Sequence, residues 1–122
     1  MRKEMENRLI NFAVVLYEMS KDLGNSFESK NLANQILRSS TSAALNFGEA
    51  QAAESRKDFI HKTSIVLKEL RETNVNLQII LRIKICKDEM KISSALKESD
   101  ELVSIFYKSV ETARKNAKEM TK

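Results

Sequence analysis

Proline is absent from this 122-residue sequence, and glycine occurs only twice, at Gly24 and Gly48. Sheet proteins draw on both residues for their turns and on aromatic residues for their strands. Aromatics make up only 6% of this chain, and tryptophan is missing. These shortages argue against a β-rich fold. The single cysteine, Cys86, cannot close an internal disulfide. No apolar run approaches the roughly 18 residues that span a bilayer. The opening MRKEMENRL is too charged for a secretory signal. The expectation is a cytoplasmic protein with no membrane contact. Phosphate-loop, dinucleotide and Ser-His-Asp signatures are also absent. No catalytic residue and no cofactor is assigned, and the chain reads as a non-enzyme.

What is present is a balance of 42% hydrophobic and 31% charged residues, rich in Lys, Glu, Leu, Ala and Ile. That composition favours helices, and the length suits one domain over residues 1–122. Periodicity divides the chain into four helices. The first is expected from Glu4 to Asp22, with Met5, Leu9, Phe12, Leu16 and Met19 on one face. Gly24 can end it in a left-handed conformation, and Ser26 or Ser29 can cap the next. The second runs from Lys30 to Ala53, burying Leu32, Ile36, Ala43, Phe47 and Ala50. Ser55 reads as the N-cap of a third helix that reaches Ile85. Its stripe is Phe59, Val66, Leu70, Leu77 and Leu81, with Thr63 and Thr73 in line. A weak break at Lys87-Asp88-Glu89 precedes a fourth helix to Glu119. There Ile92, Leu96, Ser99, Val103, Phe106, Val110, Ala113, Ala117 and Met120 repeat at close to 3.5 residues. Short connections predict an antiparallel up-down-up-down four-helix bundle.

The second helix is crowded with Ser39, Ser40, Ser42, Ala43, Ala44, Gly48, Ala50, Ala52 and Ala53. So little bulk lets neighbouring helices approach closely, and it predicts a central position. Asn46 and Glu49 stand among these small residues. An unpaired buried polar group costs about 1–3 kcal/mol, so they should have partners: Lys62, Thr63 or Arg71 on helix three, or a neighbouring subunit. Ser42, Glu69 and Glu72 belong with them as structural polar contacts.

Two helices carry more apolar surface than one core requires. Ile10, Val14 and Tyr17 form a second row on helix one, and Ile65, Ile79 and Ile83 form another on helix three. Such rows predict a subunit interface. Charge is equally uneven. Residues 56–87 hold 8 Lys or Arg against 3 Asp or Glu, whereas the flanking segments are close to neutral. Lys57, Lys68, Arg71 and Arg82 fall within about 60° of arc, with Arg56 and Lys62 nearby. This stripe can track phosphates, although no aromatic residue interleaves it to stack on bases. The plain alternative is a solvated helix face.

Other constellations carry less. Asp58 and His61 share a helical metal-site spacing, but one histidine per chain cannot furnish a di-iron bundle. An Asp in the first turn and an exposed His explain the pair, so no metal is assigned. Cys86 has no neighbouring His to activate it. Glu49, Glu69 and Glu72 lack a pocket or substrate that would make them acid–base groups.

The stretch RSSTSAALNFGEAQAAESRKDFIHKTSIVLKELRETNVNL resembles a known family. Ser42, Asn46, Glu49, the turn Glu54-Ser55-Arg56-Lys57-Asp58, Phe59, Glu69, Glu72, Thr73 and Leu77 fit its spacing. The family comprises the small four-helix-bundle proteins encoded in intervening sequences of bacterial 23S ribosomal RNA genes, and their chromosomal relatives. Where that family usually has Tyr-Trp, this chain has Val75-Asn76. The resemblance implies a homopentameric ring. The chain is also similar to the accessory variability determinant proteins of diversity-generating retroelements, basic pentamers that bind nucleic acid and assist a reverse transcriptase. The leading expectation is thus a homo-oligomer that binds RNA or DNA non-specifically through basic faces. The alternative is a structural or scaffolding oligomer whose ligand is a partner protein.

Overall fold

The structure is a computed structural model that describes residues 2–120. The side chain of Met120, last in the expected fourth stripe, lies outside the described residues. Four helices and no strands are found among those residues: α1 (Arg2–Ser20), α2 (Phe27–Gln51), α3 (Arg56–Ile83) and α4 (Glu89–Met120). None is long and apolar enough to cross a membrane.

Each boundary has a local cause. Gly24 follows α1 at φ +92°, where a side chain would be strained. The Ser26 hydroxyl caps α2 by accepting the Ser29 N–H at 3.0 Å. Ser29 therefore sits inside the first turn, and α2 begins three residues before the expected Lys30. Ser55 caps α3, accepting the Asp58 N–H at 3.0 Å. The end of α3 is unusual. Lys84 takes a left-handed conformation, φ 59° and ψ 38°, and its N–H reaches the Leu81 carbonyl. The Asp88 carboxylate accepts the N–H groups of Met90 and Lys91 and so starts α4.

One buried cluster draws on all four helices. Most of the expected stripes of α1, α2 and α3 lie in it or against it, with Ile80 as an added fully buried member; Ala50 is buried outside the cluster, and Phe59, at the start of α3, is half-buried and outside it. At its centre the Phe47 and Phe106 rings meet edge to face, 5.7 Å between centroids. The register of α4 differs from the expectation. Ile92, Ala95, Ser99, Leu102, Phe106 and Val110 are buried, while Leu96 and Val103 only flank the core. The sequence offers adjacent apolar pairs, Ala95-Leu96 and Leu102-Val103. Only the position of the neighbouring helices decides which member turns inward.

The broadest contacts are α2 with α3 and α3 with α4; α1 rests mainly on α2 and only thinly on α4. Polar pairs record how the helices lie against one another. Arg8 meets Glu98 and Asp22 meets Lys91 between α1 and α4. Arg38 meets Glu72 and Glu49 meets Lys62 between α2 and α3. Asn74 meets Ser99 and Ser64 meets Arg114 between α3 and α4.

Leu102→Ala should cost about 2–5 kcal/mol, since it empties a fully buried site. Val103→Ala, only half-buried, should cost about 1 kcal/mol. Urea unfolding of the two variants checks this, and equal losses would contradict the α4 register. Burial also raises the Cys86 thiol above its ordinary pKa. Because the thiolate is the reactive form, the rate of alkylation of the folded protein should still be climbing at a pH where an exposed thiol has levelled off. A stopped-flow pH–rate profile tests that expectation.

Candidate nucleic-acid interface

Helix α3 carries both the core stripe and the basic residues; Lys57, Lys68, Arg71 and Arg82 occupy the arc opposed to the core, and Arg56 lies in the first turn beside Phe59 and Ala113. Thr63, Val66, Leu70, Thr73, Leu77 and Ile80 are buried. Arg56, Lys57, Lys68, Arg71 and Arg82 are all exposed. At a rise of 1.5 Å per residue, Lys57 to Arg82 spans about 38 Å of helix. Among the described residues, no carboxylate forms an ion pair with any of these five cations. Arg71 does have a neighbour: its guanidinium lies 5.7 Å from the Tyr107 ring centre, a cation–π contact that steadies the side chain. The Tyr107 hydroxyl donates to Glu111 at 2.7 Å. That bond and the Glu111 charge raise the phenol pKa, so the ring stays neutral beneath the cation.

Lys62 differs from the other five. It turns toward α2 and pairs with Glu49 at 3.3 Å, so its charge is already matched. Glu49 thus has one of its expected partners. Asn46 does not reach α3: its amide donates to the Ser42 carbonyl at 2.9 Å and to the Ser42 hydroxyl at 3.1 Å, both within α2. The local bond serves because Asn46 is only half-buried. Thr63 likewise bonds within its own helix, to the Phe59 carbonyl.

Glu69 is the buried carboxylate of the group, 5% exposed. Its partner is Arg38 of α2, which also reaches Glu72, at 3.4 and 3.3 Å. Sequence reasoning missed Arg38. A usable signal existed: with Lys62 opposite Glu49, equal counts outward along α2 and α3 bring Arg38 beside Glu72 and Thr73.

The apolar rows are largely at the surface. Ile10, Val14 and Tyr17 of α1 and Ile79 and Ile83 of α3 are exposed, while Ile65 is half-buried. Leu45 and Val75 add exposed apolar area beside them. A shallow trough of about 360 Å³ between α1 and α2 is walled by Ile10 and Leu45 and floored by Ala13, Ala44 and Gly48. Asp58 is half-buried and His61 exposed. Among the described residues no three His, Cys, Asp or Glu side chains gather as metal ligands.

The model of one family, described as 23S rRNA-intervening sequence protein, matches residues 3–108. The chain is also similar to a solved structure, a crystal structure at 1.70 Å of a protein with unknown function from the S23 ribosomal protein family of Bacteroides thetaiotaomicron. The two are 32% identical, with a TM-score of 0.77, over 86% of this chain and 96% of that one. No curated protein matches the chain.

Arg38→Met should leave Glu69 buried without its counter-charge. Because the guanidinium is itself largely exposed, the cost should be about 1 kcal/mol. Adding Glu69→Gln to that variant should return most of the loss. A double-mutant cycle in urea reads the coupling directly.

Proposed function

This chain belongs to the 23S rRNA-intervening sequence protein family, and from that premise we propose a non-enzymatic cytoplasmic homo-oligomer that binds RNA or DNA through the outer face of α3. The observation that carries the reading is the row Arg56, Lys57, Lys68, Arg71 and Arg82, exposed and unmatched by carboxylates among the described residues. The mechanism is phosphate neutralisation. Each contact releases condensed counterions, which gives affinity with little sequence preference.

The protomer in this reading is one domain, an antiparallel up-down-up-down bundle. Support comes from the cross-helix pairs, in which partner numbers fall as residue numbers rise: Arg8 with Glu98, then Asp22 with Lys91. Assembly into a ring is part of the proposal, and the number five is what the family resemblance implies. The apolar rows of α1 and α3 flank α2: Ile10 lines the trough with Leu45, and Val75, one turn before Ile79, lines a groove with Gln35 and Arg38. In the proposed ring, unlike apolar patches of neighbouring copies meet head to tail, an association that closes when the rotation allows. The trough beside Ile10 is the kind of surface that accepts aliphatic side chains from another copy. A scaffolding role toward a partner protein is the second reading, favoured by exposed Val75, Ile79 and Ile83 beside the cations.

Binding of nuclease-treated protein to fluorescent single- and double-stranded RNA and DNA across a salt series tests the first reading. Affinity should fall with salt at a log–log slope of several units, about 0.7–0.9 per phosphate contacted. The quadruple variant Lys57→Glu, Lys68→Glu, Arg71→Glu, Arg82→Glu should lose binding while light scattering shows the same oligomer. Absence of wild-type binding at about 50 mM salt, where phosphate contacts are strong, would turn the search to protein partners.

A further inference from the structure

Beside the basic row lies a feature that charge counting along α3 does not reveal. An open groove of about 580 Å³ runs between α2 and α3, within the size range of sites for small ligands. Gln35 and Arg38 line it from α2; Lys68, Arg71, Val75 and Asn76 line it from α3. Three of its six polar side chains are unengaged. The side-chain amides of Gln35 and Asn76 have no hydrogen-bond partner among the described residues, and Lys68 has no ion pair there. Arg38 is anchored and its charge is spent: it is shared between buried Glu69 and Glu72, the one carboxylate that also lines the groove. Val75, 54% exposed, supplies an apolar patch.

These groups make a composite that a bare phosphate track does not need. Cations attract a phosphate. An amide offers a donor and an acceptor together, which is what the edge of a nucleobase presents. An apolar side chain can cover part of a base. Lys68 to Asn76 covers about 12 Å of helix, room for one or two nucleotides. A duplex keeps its base edges paired and stacked, whereas a single strand can turn them outward.

We infer that the α2–α3 groove seats one nucleotide unit of a single strand, its phosphate on Lys68 and Arg71 and its base edge on Gln35 and Asn76. The inference rests on the nucleic-acid reading above and makes that reading specific: single strands bind in preference to duplexes, and two of the outer cations matter more than the rest.

The test compares two charge-matched double variants, Lys68→Gln/Arg71→Gln in the groove and Lys57→Gln/Arg82→Gln at the ends of the row. A third variant, Gln35→Ala/Asn76→Ala, leaves the charge unchanged. The probe is a fluorescent single-stranded RNA decamer, with its duplex as comparison. The groove charge variant should weaken single-strand binding about tenfold or more and the end variant about threefold or less. The amide variant should weaken it about fivefold with an unaltered salt slope. In the unmodified protein, the side-chain amide NMR signals of Gln35 and Asn76 should shift on titration with the decamer or with a mononucleotide. Inorganic phosphate should compete for the cations but leave those amide signals in place.

Equal losses from the two charge variants, with no effect of the amide variant, would overturn the groove and leave the phosphate-neutralising row standing. Amide signals that respond to phosphate as they do to the mononucleotide would overturn it too, marking an anion trap that reads no base. A wild-type protein that binds neither strand form would remove both proposals together.

Discussion

How near α2 lies to α3 is the constraint on which the rest of this structure depends. The contact is the broadest in the molecule, and it is made possible by what α2 lacks. Ser39 is buried at the seam against Thr73, where a larger side chain would hold the helices apart. The seam is also polar in a controlled way. The Ser39 and Thr73 hydroxyls bond each other at zero exposure, and Thr73 donates as well to the Glu69 carbonyl. Among the described residues no buried side-chain nitrogen or oxygen is left unpartnered. A shift of one turn would break the bond between the two hydroxyls and leave each only a carbonyl of its own helix, a loss of about 0.5–1.5 kcal/mol that favours this register. Register therefore follows from small side chains and two hydroxyls, and it is register that places Arg38 over Glu69 and Gln35 in one groove with Asn76.

The sequence made much of this legible, unevenly. The inward stripes of α1 and α2 could be read from the helical phase, and that of α3 up to its last turns, where Ile80 is buried and the expected Leu81 only flanks the core. In α4 the candidates came in adjacent pairs, and the expected stripe ran through Leu96 and Val103 rather than Ala95 and Leu102. Both lines pass through Ile92, Ser99 and Phe106 at the same mean spacing, so periodicity alone does not choose between them, and the neighbouring helices do. The exposed cations of α3 were visible as a charge excess on one arc. The groove was not, because it belongs to two helices at once. Gln35 and Asn76 look like ordinary polar surface until the two helices bring them to one groove. Asn46 shows the reverse: its place among small residues pointed to a contact between helices, yet a half-buried amide found its partners four residues back in α2.

The fourth side of the bundle is built differently. Where α1 meets α4 the contact is thin, and charge takes over from packing. Arg8 donates two parallel bonds of 2.8 Å to Glu98, and Lys91 reaches Asp22 at 2.9 Å. The Lys87 N–H adds a backbone bond to the Asp22 carbonyl at the corner. Such half-exposed pairs contribute little stability each, but they fix angle and height better than aliphatic contact does. The close seam of α2 with α3 supplies rigidity, and the charged seam of α1 with α4 supplies alignment.

The corner at Lys84 bears on how such a sequence can change over generations. A lysine in the left-handed region costs about 1 kcal/mol relative to glycine, and this one is exposed. The chain tolerates that strain at a position that touches neither the core nor the groove. A single substitution to glycine there would release it, a small reserve of stability kept apart from every contact that could serve a ligand. Lineages holding such a reserve can absorb a destabilising change in the groove, and vary what it recognises, before the fold itself is put at risk.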